Sequence, residues 1–173
     1  MSKIIAVDVF NPASIESAVR EIQAYREWII RKADELAHKL ADIGAVNVSL
    51  GYARAAYTGD KDISVSVEER WGNSYAIVAN VETLLFVEFG VGIRFGDGHP
   101  MNAALGYGPG TWPDKHFSYN SKGELVENWS NDRGWYTPDG VHTYGNPPSM
   151  TMYFTAKELR ERVLEVAREV FRT

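Results

Sequence analysis

The sequence predicts an α+β fold, with a long N-terminal helix and a C-terminal helix packed on a small antiparallel β-sheet and a long loop rich in glycine, proline and aromatic residues. Three observations carry this. Apolar residues recur at three- and four-residue steps near both ends, they alternate with polar residues in the middle, and between residues 90 and 150 neither period holds. That last stretch contains six of the seven prolines and eleven of the fifteen glycines.

Residues 1–10 alternate loosely and read as a short edge strand or an ordered arm. Asn11 and Pro12 then supply an N-cap and a proline at the first helical position. Ile15, Val19, Ile22, Ile29, Ala33, Leu36, Ala37 and Leu40 trace one face of a helix of about 30 residues that ends at Gly44. Beyond it Val46, Val48, Leu50 and Tyr52 alternate with Asn47, Ser49, Gly51 and Ala53, as in a half-buried strand. A helical spacing through Val46, Leu50, Ala53 and Tyr57 is the competing reading. A turn at Thr58, Gly59, Asp60, Lys61 and Asp62 leads to a strand through Ile63, Val65 and Val67, and Gly72 and Asn73 form a hairpin turn into a partner strand from Tyr75 to Val81.

The organisation is one domain over residues 1–173. Residues 1–44 form the arm and long helix, 45–81 a β-meander, 82–150 a short helix (82–89) and the extended loop, and 151–173 the C-terminal helix. The loop is too rich in aromatics for low-complexity disorder, and a hairpin is expected within it at 124–136. In the last helix Phe154, Leu159, Val163, Val166, Ala167 and Val170 line one face, with Thr155 and Glu158 as a capping box.

Composition narrows the function classes. Hydrophobic residues make up 45% and charged residues 24%, as in ordinary soluble domains. No apolar run approaches the roughly 20 residues that span a bilayer, and MSKIIAVDVF lacks the pattern of a signal peptide, so no membrane role is expected. The absence of cysteine excludes disulfides and thiolate chemistry. A net charge of -5 without a cluster of basic residues argues against gripping nucleic acid.

The glycine-rich segment LLFVEFGVGIRFGDGHP, residues 84–100, is where chemistry would be sought. A phosphate loop needs Gly-Lys-Ser/Thr leading into a helix, and this segment offers only Arg94. His38, His99, His116 and His142 stand apart from one another. Asp97, Asp114 and Asp139 lie near the last three, yet no spacing matches a metal motif. Solvated histidines, no metal and no cofactor are therefore expected. Glu88 is the one carboxylate from Leu84 to Val91. It lacks a second carboxylate placed for acid–base work, and reads instead as an anchor accepting hydrogen bonds from loop amides such as those of Gly90 to Gly92. On that reading Glu88→Gln would largely preserve the fold. With no Gly-x-Ser-x-Gly and no Cys/His pair, the chain is not read as an enzyme.

Two separated motifs carry a family resemblance. Val87-Glu88-Phe89-Gly90-Val91-Gly92 resembles the E-F-G-T-G element of the head–tail joining, or tail-completion (neck), proteins of long-tailed bacteriophages and prophages. Gly145-Asn146-Pro147-Pro148-Ser149-Met150-Thr151-Met152-Tyr153 is similar to that family's G-x-P-x-x-P-M-Y/F entry into the last helix. Between them, Gly108-Pro109-Gly110-Thr111-Trp112-Pro113 and Gly134-Trp135-Tyr136 fit its Gly/Pro/Trp-rich stretch. Val91 and Thr151 depart from the pattern, replacing a threonine and a proline.

The resemblance implies a virion structural protein, a minor tail component that completes the tail end as an oligomeric ring, a hexamer, and joins it to the head. Its partners would be further copies of itself, the tail tube or terminator and the head connector. It would be found in the host bacterial cytoplasm during assembly and then in the tail or neck. Glu88, Phe89, Gly90 and Gly92 would hold an assembly loop. Trp112, Trp129, Trp135, Tyr136, Tyr144, Met150 and Met152 would form an interface, being of the residue types interfaces favour. No catalytic residue or cofactor accompanies the family. The alternative is a small-ligand or glycan-binding module, or a hydrolase, with Trp112, Trp129 and Trp135 as a stacking platform and Asp97 or His99 as polar partners.

Overall fold

The computed structural model describes residues 4–55, 63–90, 98–105, 116–128, 135–136 and 140–172. The architecture is α+β. Helix α1 (Pro12–Arg54) leads into a hairpin of β1 (Ser64–Arg70) and β2 (Ser74–Asn80), and a short helix α2 (Leu84–Phe89) follows. After α3 (Asn102–Leu105) come four short strands, β3 (His116–Tyr119), β4 (Leu125–Asn128), β5 (Trp135–Tyr136) and β6 (His142–Thr143), and then the final helix α4 (Thr151–Val170). The hairpin forms a two-stranded antiparallel sheet with Val65 opposite Ala79 and Val67 opposite Ile77. The later strands make a separate antiparallel sheet in the order β4-β3-β5-β6.

Helix α1 is the spine. The Asn11 side chain accepts a hydrogen bond from the Ala13 amide, and proline follows in the first turn, so the start forms as the residues dictate. The end does not lie at Gly44. The helix runs ten residues further, to Arg54, so the strand reading of 46–52 is corrected. Buried Ala41, Gly44, Val48 and Tyr52 are spaced at three and four residues, and Val46 and Leu50, which completed the apparent alternation, are exposed. Glycine is tolerated here because neighbours come close. A Cβ on Gly44 would collide with Ile77 and approach Leu159 Cδ1 to 2.9 Å, and one on Gly51 would approach Thr151 Cγ2 to 2.5 Å. Tertiary packing thus outweighs the helix-breaking tendency of two glycines, about 1 kcal/mol each.

The core lies where α1, the hairpin and α2 meet. Val48, Tyr52 and Val87 are fully enclosed, and Ile63, Val65, Ile77, Ala79, Leu84 and Met152 pack around them. At the hairpin turn Gly72 and Asn73 both take positive φ, as the sequence suggests. The expected hairpin at 124–136 lies elsewhere: β3 and β4 pair through a turn at residues 120–124. There the Asn120 side chain accepts from the amides of Lys122 and Glu124 at 2.8 and 3.1 Å, and Gly123 supplies a positive φ. Residues 1–10 form no strand from residue 4 onward. They make an arm whose end is tied to α1 by the Asp8 amide donating to Ser14 Oγ at 2.9 Å. The turn expected at Thr58 to Asp62 lies outside the described residues.

Candidate functional site

Glu88 is 4% exposed, and its surroundings explain how a carboxylate can be held there. It sits near the end of α2, where the helix presents Val87 and Glu88 to the interior. Five donors converge on its two oxygens. Oε2 accepts from the Tyr52 hydroxyl at 2.9 Å, the Met152 amide at 3.1 Å and Ser149 Oγ at 3.5 Å. Oε1 accepts from the Tyr153 amide at 3.2 Å and faces His99 Nε2 at 3.4 Å. Buried charge is tolerable only when satisfied in this way.

Two of those donors define what the carboxylate does. Met152 and Tyr153 are the second and third residues of α4, and the residue at the N-cap position, Met150, has no side-chain cap bond. Glu88 therefore caps α4 from a different helix, accepting from the amides that a serine or aspartate at the cap would normally satisfy. Its negative charge also lies at the positive end of the α4 dipole. The capping box read at Thr155 and Glu158 is corrected accordingly. The helix begins four residues earlier, at Thr151, and Thr155 is buried within it.

The bonding is reciprocal. The carbonyls left open at the end of α2 accept from the strand of chain entering α4: Val87 from the Ser149 amide at 2.8 Å and Glu88 from the Met150 amide at 3.2 Å. Phe86 accepts from Asn146 Nδ2 at 3.1 Å. Gly90 lets the segments approach this closely. Its φ is +76°, and a Cβ there would lie 2.7 Å from Pro148 N and 3.0 Å from the Asn146 carbonyl. The main-chain amides that Glu88 accepts from are those of Met152 and Tyr153, so what it pins to α2 is the α4 entry.

His99 completes the cluster and departs from the expectation of solvated histidines. It is buried, its ring lies 4.3 Å from that of Phe89, and its Nδ1 accepts from the Met101 amide at 3.0 Å. A ring nitrogen that accepts from an amide carries no proton, so the proton is assigned to Nε2, which points at Glu88. His99 is thus a neutral donor. The Tyr52 hydroxyl has its pKa raised well above the usual tyrosine range by burial, then by the Glu88 charge and by the hydrogen bond between them. Tyr52 and His99 were missed as partners of Glu88. Nothing in the local sequence links them, since 36 and 11 residues separate them from it.

The remaining predicted site residues are placed as follows. Phe89 packs its ring at a tilt against that of His99, and Gly90 abuts Pro148. Tyr136, His142 and Tyr144 form a run of ring contacts, each 4.8 Å between centroids, with Tyr144 exposed. Trp135 lies in β5. Met152 packs against the core, so its side chain serves the interior, and Met150 holds the left-handed turn before α4. Gly92, Trp112 and Trp129 lie outside the described residues, as do Asp97, Asp114 and Asp139. Beside the joint, an open groove of about 500 Å³ is lined by Asn47, Leu50, Gly51, Arg54, Phe154 and Glu158 among others. Asn47 Nδ2 donates to Glu158 Oε2 within it.

Fold and site together define an α+β protein in which a buried carboxylate locks the terminal helix onto a short helix more than sixty residues earlier in the chain. No family model, curated protein or solved structure matches the chain. Among the described residues no helix is long and apolar enough to cross a membrane, and no group of three His, Asp or Glu side chains is placed to hold a metal ion.

Proposed function

We propose that this chain is a structural subunit of the head–tail joint of a long-tailed phage or prophage, closing the tail end as an oligomeric ring that docks to the head connector. One observation supports this above the rest. The described part of the first motif stretch that carries the family resemblance, 87–90, and the second stretch, 145–153, meet in a single joint built on Glu88. A motif pair that serves architecture in this way fits a family whose members assemble. On this reading Glu88 organises the fold, because both its oxygens are committed to internal donors.

The test is genetic and structural. Deleting the gene from the phage or prophage that encodes it should leave full capsids and complete-length tails that do not join, as seen by electron microscopy of lysates. Supplying the protein in trans should restore joined particles. Particles that join normally without it would contradict the proposal.

A further inference from the structure

The N-terminal part of α1 extends beyond the end of α4, although Ala18 within it is buried. Helix α4 runs antiparallel to α1, with Glu158 meeting Asn47, Glu169 meeting Lys39, and the Phe171 ring 5.6 Å from that of Trp28. The residues of α1 before Trp28 therefore project past the end of α4 by roughly 24 Å, at 1.5 Å per residue. That projection carries exposed Ile15, Val19 and Ile22. It ends in the arm, where Ile4 is 91% and Phe10 is 94% exposed.

The arm has the composition of a strand without a sheet. Asp8 is fastened to the helix start by its amide donating a hydrogen bond to Ser14 Oγ and by its oxygens accepting from the amides of Phe10 and Asn11. Beyond it residues 4–7 read Ile-Ile-Ala-Val, three of the four being β-branched strand formers. They form no ladder among the described residues.

The hairpin has the converse character. Among the described residues β1 and β2 pair only with each other, and a two-stranded sheet is marginal alone. The last three residues of β1, Glu68, Glu69 and Arg70, protect its edge with charge, whereas β2, Ser-Tyr-Ala-Ile-Val-Ala-Asn, has none. An uncharged edge of this kind is a template for another strand.

The arm cannot serve its own hairpin. The part of β2 lying furthest toward the N-terminal end of α1 is fixed by Tyr75, whose hydroxyl donates to Asp34 at 2.9 Å. Asp34 lies roughly 34 Å along the helix from Asn11. The four residues beyond Asp8 extend at most about 14 Å. Residues 4–7 can therefore reach such an edge only on another copy of the chain.

We infer that residues 4–7 of one copy add as a strand to the outer edge of β2 of the next copy. This rests on the reading of the chain as a self-assembling subunit and names the surface by which it assembles. Arm and edge are different surfaces, so the contact is head-to-tail, the kind that generates a ring when the rotation closes. The projecting helix with Ile15, Val19 and Ile22 accompanies the arm onto the neighbour.

Two measurements on the full chain test this. The chain has no cysteine, so an engineered pair reports without background. Ala6→Cys with Ala76→Cys, the latter on the β2 face away from α1, should give a ladder of covalent trimers and larger species on a non-reducing gel. Each single variant should lack the ladder. Removal of residues 1–7 should abolish association in sedimentation while leaving the circular dichroism unchanged. If the truncated chain assembles like the full one and the pair does not cross-link, the arm contact is wrong and the ring reading stands. Covalent dimers with nothing larger would support the arm contact and contradict the ring. A full-length chain that stays monomeric at all concentrations would overturn both.

Discussion

Replacing Glu88 with glutamine keeps the shape of the side chain and exchanges one acceptor for a donor. Each Glu88 oxygen faces a main-chain amide, Met152 on one side and Tyr153 on the other, so either orientation of the new amide sets a donor against a donor. Glu88→Gln is therefore expected to cost about 1–3 kcal/mol, and Glu88→Ala at least as much, because buried donors lose their acceptor. Urea unfolding measures both, and a glutamine variant as stable as the wild type would contradict the capping role. This reverses the expectation from sequence alone, in which Glu88→Gln would largely preserve the fold. Tyr52 adds a pH dependence. Its pKa is raised from 10.0 by burial and by Glu88, so the folded state holds the proton more tightly than the unfolded chain. The stabilisation is full below pH 10 and is lost as pH rises above it, where the unfolded chain ionises first. The stability difference between wild type and Tyr52→Phe should accordingly shrink above pH 10, and a difference that grew there would contradict the assignment.

Among the elements, the packing of α1 on α4 depends on a glycine. Gly51→Ala would gain helix propensity of up to about 1 kcal/mol but drive a methyl group into Thr151, at a typical overpacking cost of about 1–3 kcal/mol. Net destabilisation is expected, and Thr151→Ala in the same chain should recover most of it, a coupling that a double-mutant cycle measures. Additive effects would mean the two do not touch. Gly90→Ala faces both a left-handed φ and the Pro148 backbone, so its loss should exceed that of Gly51→Ala in thermal unfolding. The same contacts show why some elements were legible in the sequence and others were not. Asn11, Pro12 and the periodic face of α1 are local signals, as is the Gly72 and Asn73 turn, and they place α1's start and the hairpin correctly. The end of α1 depends on Ile77, Leu159 and Thr151, partners far away in sequence, so Gly44 looked like a terminus. The four-stranded sheet escaped notice because its strands have two to four residues, too few to show a period of two. The Asn120 and Gly123 turn was a readable signal for β3 and β4. At the site, Glu88 stood out as a lone carboxylate in an apolar run, but its partners arrive from three other parts of the chain.

At the scale of the whole molecule, exposed large apolar side chains lie on several elements among the described residues. Ile4, Val9 and Phe10 on the arm, Ile15, Val19 and Ile22 on α1, Trp71 at the hairpin tip and Leu164 on α4 are all exposed. On the proposed reading, this exposed apolar surface is what neighbouring copies would cover. The Glu88 joint keeps α4 locked to the body independently of these surfaces. The measurement that bears most directly on this account is sedimentation velocity of the full chain over a concentration series. The account predicts a monomer of 19.4 kDa at low concentration giving way to one discrete species of about six times that mass, as a closed ring requires. A monomer at every concentration, or an open-ended series of growing aggregates, would contradict it.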